Sequence, residues 1–375
     1  MKKKILFIVS NLKVGGGTER VISLIGDELD KKQDFEILTF YDFENEYKTG
    51  CKRTNFKFTY SKNPLLRIIK LMFIIPFYIN SFLKKKDFDI VVSHSEDANI
   101  ASLLVKWYFW KKINLWTTKH NNLDSSIYRF VGFLHSKANK IITVSDQLRL
   151  KYEKNFPSKT VKAIHNPLDF SHIKELEDKQ MNEDVEEFIG DSRFLLNVGR
   201  LSRQKNHPFL LEVFKEVRKT HKDIKLVIFG EGPDKERIQN IVDKNNLQND
   251  VLLAGITNNV FKYYKNCDLF VLSSRFEGFP MVLLEALSVG ATIISNDCPT
   301  GPREILAGNP RLRIKRFKEA KYGYLVPFNN KKEFVKGIKQ LLENPQNKKS
   351  IYKKRAKEFS VENIVKNWEK EFDKK

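Results

Sequence analysis

LFVLSSRFEGFPMVLLEA, residues 269–286, carries a strand, a turn and a helix start in one stretch. Leu269–Leu272 is a short apolar run of the buried-strand type, and Pro280 opens a helical pattern. Glu277 falls in the loop between them, at the carboxyl end of the strand, where ligands bind in open α/β sheets. Glu285 falls about one and a half turns into the helix, on an otherwise apolar stretch. A carboxylate there needs a cation or hydrogen-bond donors. A hydroxyl-rich ligand supplies donors: one carboxylate takes a ribose diol, the other takes sugar hydroxyls. Gly278, Phe279 and Pro280 lead into the helix, and the amides within Gly278–Met281 are placed to hold a phosphate. The plainer alternative is a Glu on the exposed edge of that helix.

Outward from this segment, short apolar runs alternate with longer helical patterns. Ile5–Val9, Phe35–Phe40, Ile90–Ser93, Leu115–Thr118 and Ile141–Val144 form one series. Phe194–Val198, Lys225–Phe229, Val251–Ala254, Leu269–Leu272 and Thr292–Ser295 form a second. Two series of parallel strands with helical crossovers predict two doubly wound α/β domains. A chain of 375 residues, 41% apolar, is long enough for two cores. The reading places a first domain over 1–168 and a second over 169–349, with a polar linker and one exposed helix near 167–192. A charged amphipathic helix over 350–375 carries Phe359, Ile364, Trp368 and Phe372 on one side, the kind of helix that can cross back over a first domain.

Two further turns stand at equivalent places. Gly199-Arg200-Leu201-Ser202-Arg203-Gln204-Lys205-Asn206 follows the first strand of the second series. Arg200 and Lys205, five residues apart in a turn, can converge on a diphosphate, one as a fork and the other as a point charge. Gly15-Gly16-Gly17-Thr18-Glu19-Arg20 joins the first strand to a helix, which is an anion-binding geometry around Gly16. It lacks both the spaced glycines of dinucleotide binders and the Lys-Ser/Thr pair of a P-loop, so a Rossmann oxidoreductase is disfavoured. A bare tight turn explains it equally well.

Taken together, Gly-Gly-x-Glu-Arg, Gly-Arg-Leu with its downstream Lys-Asn, and Glu-Gly-Phe-Pro with a second Glu eight residues on resemble one group. They are similar to retaining, metal-independent glycosyltransferases of family four, which have the two-Rossmann-domain GT-B fold. The resemblance spans nearly the whole chain, including Asn166-Pro167 and the run Asp297–Ile305, which looks most like bacterial members that build lipid-linked oligosaccharides or surface polysaccharides. It implies that Arg200 and Lys205 bind the donor diphosphate, Glu285 the ribose and Glu277 the transferred sugar, with Gly16 approaching a donor phosphate. It implies a nucleotide-sugar co-substrate, a UDP-sugar ahead of GDP-mannose, and no cofactor or metal. His120, in the loop after a strand of the first domain, stands where family members place a histidine near acceptor and transferred sugar. Its role there is orientation or charge stabilisation, and no enzyme nucleophile is assigned. A lone loop histidine is otherwise merely solvated.

The acceptor side has its own signal. LLRIIKLMFIIPFYINSFLKKK, residues 65–86, is apolar, punctuated by Arg67 and Lys70 and closed by Lys84, Lys85 and Lys86. Pro76 and the charges interrupt it as a membrane span, and it reads as a basic amphipathic element on an anionic membrane. Trp107 and Trp110 belong to an aromatic-basic cluster of interfacial type. Ordinary helix core is the competing reading, strongest for Ile68–Ile75. Both clusters lie in the acceptor domain of the resembled family, which points to a lipid-linked glycan acceptor. Net charge is +21, of which residues 1–168 carry +13, from 29 Lys/Arg against 16 Asp/Glu. That field favours anionic partners. No nucleic-acid-binding motif accompanies it, so nucleic acid is not expected; a basic nucleic-acid binder and a nucleotide-sugar epimerase or hydrolase of the same fold are the alternatives. Three separated cysteines and a first apolar run too short for a signal peptide predict a cytoplasmic protein, peripheral on the inner face of the membrane.

Overall fold

The structure is a computed structural model that describes residues 2–374 apart from 16, 62, 110, 111, 121–134, 136 and 158. Two compact units divide the chain: Met1–Pro167 with Val361–Lys375, and Leu168–Ser360. Each is built on a seven-stranded sheet.

In the first unit the strands run β1 (Lys4–Val9), β2 (Asp34–Tyr41), β3 (Lys52–Phe58), β4 (Ile90–His94), β5 (Leu115–Lys119), β6 (Lys140–Thr143) and β7 (Thr160–Ala163), in the spatial order β3-β2-β1-β4-β5-β6-β7. All neighbours are parallel. The central strands are apolar on both faces because helices cover both, as a parallel sheet requires. The order reverses between β1 and β4, which makes a switch point at their carboxyl ends.

The second unit repeats the plan with β8 (Arg193–Val198), β9 (Ile224–Phe229), β10 (Val251–Gly255), β11 (Leu269–Leu272), β12 (Ile293–Asn296), β13 (Lys318–Ala320) and β14 (Gly323–Val326), ordered β10-β9-β8-β11-β12-β14-β13. Only β13 runs antiparallel, at the edge. The switch point here lies between β8 and β11. The turn after β8 carries Arg200 to Lys205, and the loop after β11 carries Glu277.

Two segments differ from the sequence expectation. The stretch 350–375 is two helices, Lys349–Lys357 and Val361–Asp373, parted by Glu358, Phe359 and Ser360. The first belongs to the second unit and the second to the first unit. Val361–Asp373 buries Ile364, Val365, Trp368 and Phe372, at about 1.5–3 kcal/mol of hydrophobic stabilisation each. Trp368 lies 5.4 Å from the Phe7 ring of β1, and Phe372 lies 5.6 Å from Trp116 of β5. The supposed linker is likewise part of the second unit: it forms helices Phe170–Leu176 and Glu183–Ile189, which bury Ile173, Val185 and Ile189. A turn as polar as this one hides helices that bury only one or two side chains each.

The segment Pro64–Lys85 is one continuous helix with a π-type turn over Lys70–Ile74. One stripe, Leu71, Ile75, Ile79 and Leu83, packs into the core of the first unit. The reading of Ile68–Ile75 as ordinary core fails for most of it: Leu65, Leu66, Ile68, Ile69, Phe73, Ile74, Phe77 and Tyr78 are 38–64% exposed. By length and composition this helix could cross a membrane.

Candidate functional site

Lys205 and Glu277 meet. The Lys205 Nζ lies 2.7 Å from Glu277 Oε1, with both side chains largely buried (16% and 7% exposed). The amide of Gln204 adds a bond of 3.3 Å to Glu277 Oε2. Two loops from different strands are thereby stitched together. Arg275 donates its backbone N–H to Gln204 O at 2.7 Å, the Gln204 amide donates to Phe276 O at 2.9 Å, and Ser273 Oγ donates to Lys205 O at 2.8 Å. Asn206 takes the left-handed conformation at φ 58° and accepts from Arg275 Nε at 3.1 Å. A carboxylate in so dry a place is tolerated because a cation and an amide answer it.

The Glu277-Gly278 backbone is held from the other side. Glu277 N donates to Pro299 O at 2.7 Å, and Thr300 Oγ1 lies 2.8 Å from both the Glu277 and the Gly278 carbonyls. Gly301, at φ 101°, sits where a Cβ would lie 2.4 Å from Pro280 Cδ, so only glycine lets the two loops close. Cys298 is buried beside this knot, and burial, helped by the Glu277 charge, raises its thiol well above the ordinary value. The amides of Met281 and Val282 begin the helix Met281–Val289 and meet no backbone acceptor among the described residues. They offer an anion site next to the ion pair.

Glu285 is buried inside that helix, and the buried Tyr264 hydroxyl lies 3.4 Å from its Oε2. Burial, followed by the Glu285 charge, raises the Tyr264 phenol well above its ordinary value, so it stays a donor. Arg200 is exposed on the turn after β8. The structure thus joins Lys205 to Glu277 and leaves Arg200 outside that pair. Phe279 and Pro280 are buried supports of the helix start, and Gly16 lies outside the described residues.

Several residues of this site were not legible in the sequence. Gln204, Thr300 and Tyr264 act through hydrogen bonds that no spacing announces. Gly230 and Gly232 do leave a signal, a Gly-Glu-Gly-Pro run after β9. A Cβ on Gly230 (φ 147°) would lie 2.0 Å from Gly199 O, and one on Gly232 would lie 2.2 Å from Leu201 O. The turn after β9 is therefore the floor of the Gly199–Leu201 turn.

In the first unit, His120 follows β5 and is partly buried. Its Nε2 lies 3.1 Å from Thr118 Oγ1 and 3.5 Å from His94 Nδ1. Burial lowers its pKa to about 4 against a smaller opposing pull from Glu96. Across the strand, buried Lys119 is bonded to Glu96, and the His135 Nδ1 lies 2.8 Å from Thr117 Oγ1. Burial opposes ionisation of Glu96, yet His135 and Lys119 hold it down to about 2.

The named cations of the apolar helix divide. Arg67 pairs with Asp97 at 3.1 Å, Lys70 donates to Thr59 O at 3.0 Å, and Lys86 pairs with Glu36 at 2.8 Å. These three bond within their own unit, whereas the sequence reading set all five cations at the membrane. Lys84 and Lys85 have no ion-pair partner among the described residues. Trp107 is 58% exposed, and Trp110 lies outside the described residues.

Comparison with known proteins settles the class. Residues 15–172 match the family described as Glycosyltransferase Family 4, and residues 178–359 match Glycosyl transferases group 1. A glycosyltransferase of Methanocaldococcus jannaschii is 32% identical over 349 residues, covering 82% of this chain and 84% of that protein. The chain belongs to the glycosyltransferases, with a Family 4 domain followed by a group 1 domain. A Campylobacter jejuni relative, 29% identical over 95% of this chain and 94% of its own length, is an N-acetylgalactosamine-N,N'-diacetylbacillosaminyl-diphospho-undecaprenol 4-alpha-N-acetylgalactosaminyltransferase. The same GT-B fold recurs in the lipopolysaccharide outer core galactosyltransferase WaaB (TM-score 0.71, 22% identity, 98% of each chain). It recurs also in Anabaena HepE, solved with UDP and glucose (TM-score 0.76, 16% identity, all of each chain). This glycosyltransferase therefore has two Rossmann-like units of GT-B type, with the Lys205–Glu277 pair at the switch point of the second.

Proposed function

We propose that this enzyme moves a sugar, with retention of configuration and without a metal, from a nucleotide-sugar to a lipid-linked saccharide at the inner face of an anionic membrane. A UDP-sugar is the preferred donor. The observation that carries the donor reading is the Lys205–Glu277 pair beside the free amides of Met281 and Val282. A lysine ammonium has three donors. One is engaged by Glu277, and the others remain for a diphosphate whose far oxygens reach Arg200 and the helix start. Glu277, oriented by Gln204 and Thr300, accepts from hydroxyls of the transferred sugar, and Glu285 accepts from the ribose. For the first unit the resemblance gives His120 a role beside acceptor and transferred sugar, and Gly16 a donor phosphate. No nucleophile is assigned: the departing diphosphate takes the acceptor proton on the face it leaves, which preserves the anomeric configuration.

The acceptor half rests on the exposed helix. In sequence, residues 51–86 hold nine Lys/Arg and no Asp/Glu, and the helix exposes Leu65, Ile68, Phe73 and Phe77 and ends on Lys84 and Lys85. Such a surface fits the headgroup layer of an anionic bilayer. Relatives named for undecaprenol-linked substrates support the same acceptor class. The test is a thermal-shift screen across UDP-, GDP- and ADP-sugars, followed by transfer to a polyprenyl-diphosphate-linked saccharide with the product anomer read by NMR. Stabilisation by UDP-sugars and an axial product from an axial donor are expected. An inverted product, or donor turnover without acceptor, sinks the reading in favour of another reaction on the same fold.

A further inference from the structure

The hydroxyl of Thr118, on β5, stands at the centre of three contacts. Its oxygen lies 3.0 Å from Ser93 O, 3.2 Å from His94 Nδ1 and 3.1 Å from His120 Nε2. A hydroxyl has one proton and two lone pairs. The carbonyl can only accept, so the Thr118 proton goes to Ser93 O. Both ring nitrogens must then donate, each into one lone pair. They lie 3.5 Å from each other and, as two donors aimed at one oxygen, form no bond between themselves. Any other assignment sets two lone pairs against each other inside the fold.

We propose that Thr118 and His94 are positioning residues that lock His120 as its Nε2–H tautomer, so that Nδ1 is the lone pair His120 presents to substrate. The proposal rests on the role given to His120 above. Burial holds both imidazoles neutral, His94 well below the ordinary range and His120 near 4, so each ring carries one proton and fixing it on one nitrogen bares the other. His94 supplies an independent check. Its Nε2 is buried with no hydrogen-bond partner. With the proton on Nδ1, the ring's only N–H has an acceptor; with the proton on Nε2, a buried donor would be orphaned. The rings of Phe7, 4.5 Å away, and Trp368, 5.9 Å away, hold His94 in place.

Lys119 and Glu96 act on His120 through their charges but bond to none of this set. Side chains alternate along β5, so Thr118 and His120 share one face, while Thr117 and Lys119 turn to the other with His135 and Glu96. Among the described residues nothing bonds to His120 Nδ1. A bare Nδ1 accepts from a sugar or acceptor hydroxyl and can face the electron-poor anomeric carbon. It cannot donate to the leaving diphosphate.

Nitrogen-15 histidine NMR of the full-length enzyme tests this directly, with His120 and His94 assigned by the signals lost in His120→Ala and His94→Asn. His120 is expected as Nε2–H and His94 as Nδ1–H. Thr118→Val should scramble the His120 tautomer and lower kcat about tenfold, the effect of one orienting hydrogen bond, with donor KM unchanged. Thr118→Ser should restore both signatures. A wild-type His120 protonated on Nδ1, or a Thr118→Val enzyme with an unaltered His120 tautomer, overturns the proposal. If His120→Ala transfers at the wild-type rate while the tautomers are as assigned, the positioning stands and the role of His120 in transfer falls.

Discussion

Removing the Lys205 ammonium should destabilise the second unit by a predictable amount. In Lys205→Met, Glu277 keeps only the Gln204 amide at 3.3 Å, with its side chain 7% exposed. Breaking a fully buried pair costs about 3–5 kcal/mol because one charge is left without an answer. Residual exposure of Lys205 and the remaining amide reduce this to about 2–3 kcal/mol. At about 2–4 °C per kcal/mol for a body of this size, the transition of the second unit should fall by about 4–12 °C. Differential scanning calorimetry reads it. Lys205→Met with Glu277→Gln removes the stranded charge, so the double variant should recover most of the loss, a coupling that a double-mutant cycle isolates. A single variant within about 1 °C of wild type, or a double variant no better than the single, would refute the view that these two groups stabilise each other.

Three further outcomes follow from the same geometry. Gly230→Ala places a Cβ 2.0 Å from Gly199 O; it should displace the turn carrying Arg200, cost about 1–3 kcal/mol or more, and weaken UDP binding measured by calorimetry. The pH dependence has a definite sign. Burial lowers His94, His120, His135 and His207, and takes His120 and His207 down to about 4. The unfolded chain therefore takes up protons near its ordinary 6.5 that the fold refuses, so melting temperature should fall as pH drops from 6.5 toward 4, and His207→Leu should make that fall shallower. Phe73→Asp with Phe77→Asp should abolish sedimentation with anionic liposomes at low salt while leaving UDP binding intact, and Lys84→Glu with Lys85→Glu should weaken it in a salt-dependent way.

Much of the fold was legible because both sheets are parallel and buried: central strands such as Ile5–Val9 and Leu269–Leu272 are uninterrupted apolar runs. Edge strands were not, since Lys52–Phe58 and Thr160–Ala163 are half solvated and carry mixed side chains. The break at Glu358–Ser360 is not legible in the sequence because the apolar spacing continues across it although the chain passes from one unit to the other. At the site, charge made Glu277, Glu285 and Lys205 conspicuous, whereas Thr300, Gln204 and Gly230 act through backbone carbonyls and close approach, which leave no periodicity. Lys86 shows the converse: its place in a lysine run says membrane, and its bond to buried Glu36 says structure.

The most direct test of the donor site is transfer by Glu277→Gln. The amide keeps the shape and can still meet Gln204, but loses the charge that answers Lys205 and orients the sugar. With a saturating UDP-sugar and a polyprenyl-diphosphate-linked acceptor, kcat should fall by about two to three orders of magnitude, with the melting temperature lowered by no more than a few degrees and UDP still bound. Transfer near the wild-type rate by that folded variant would contradict the account.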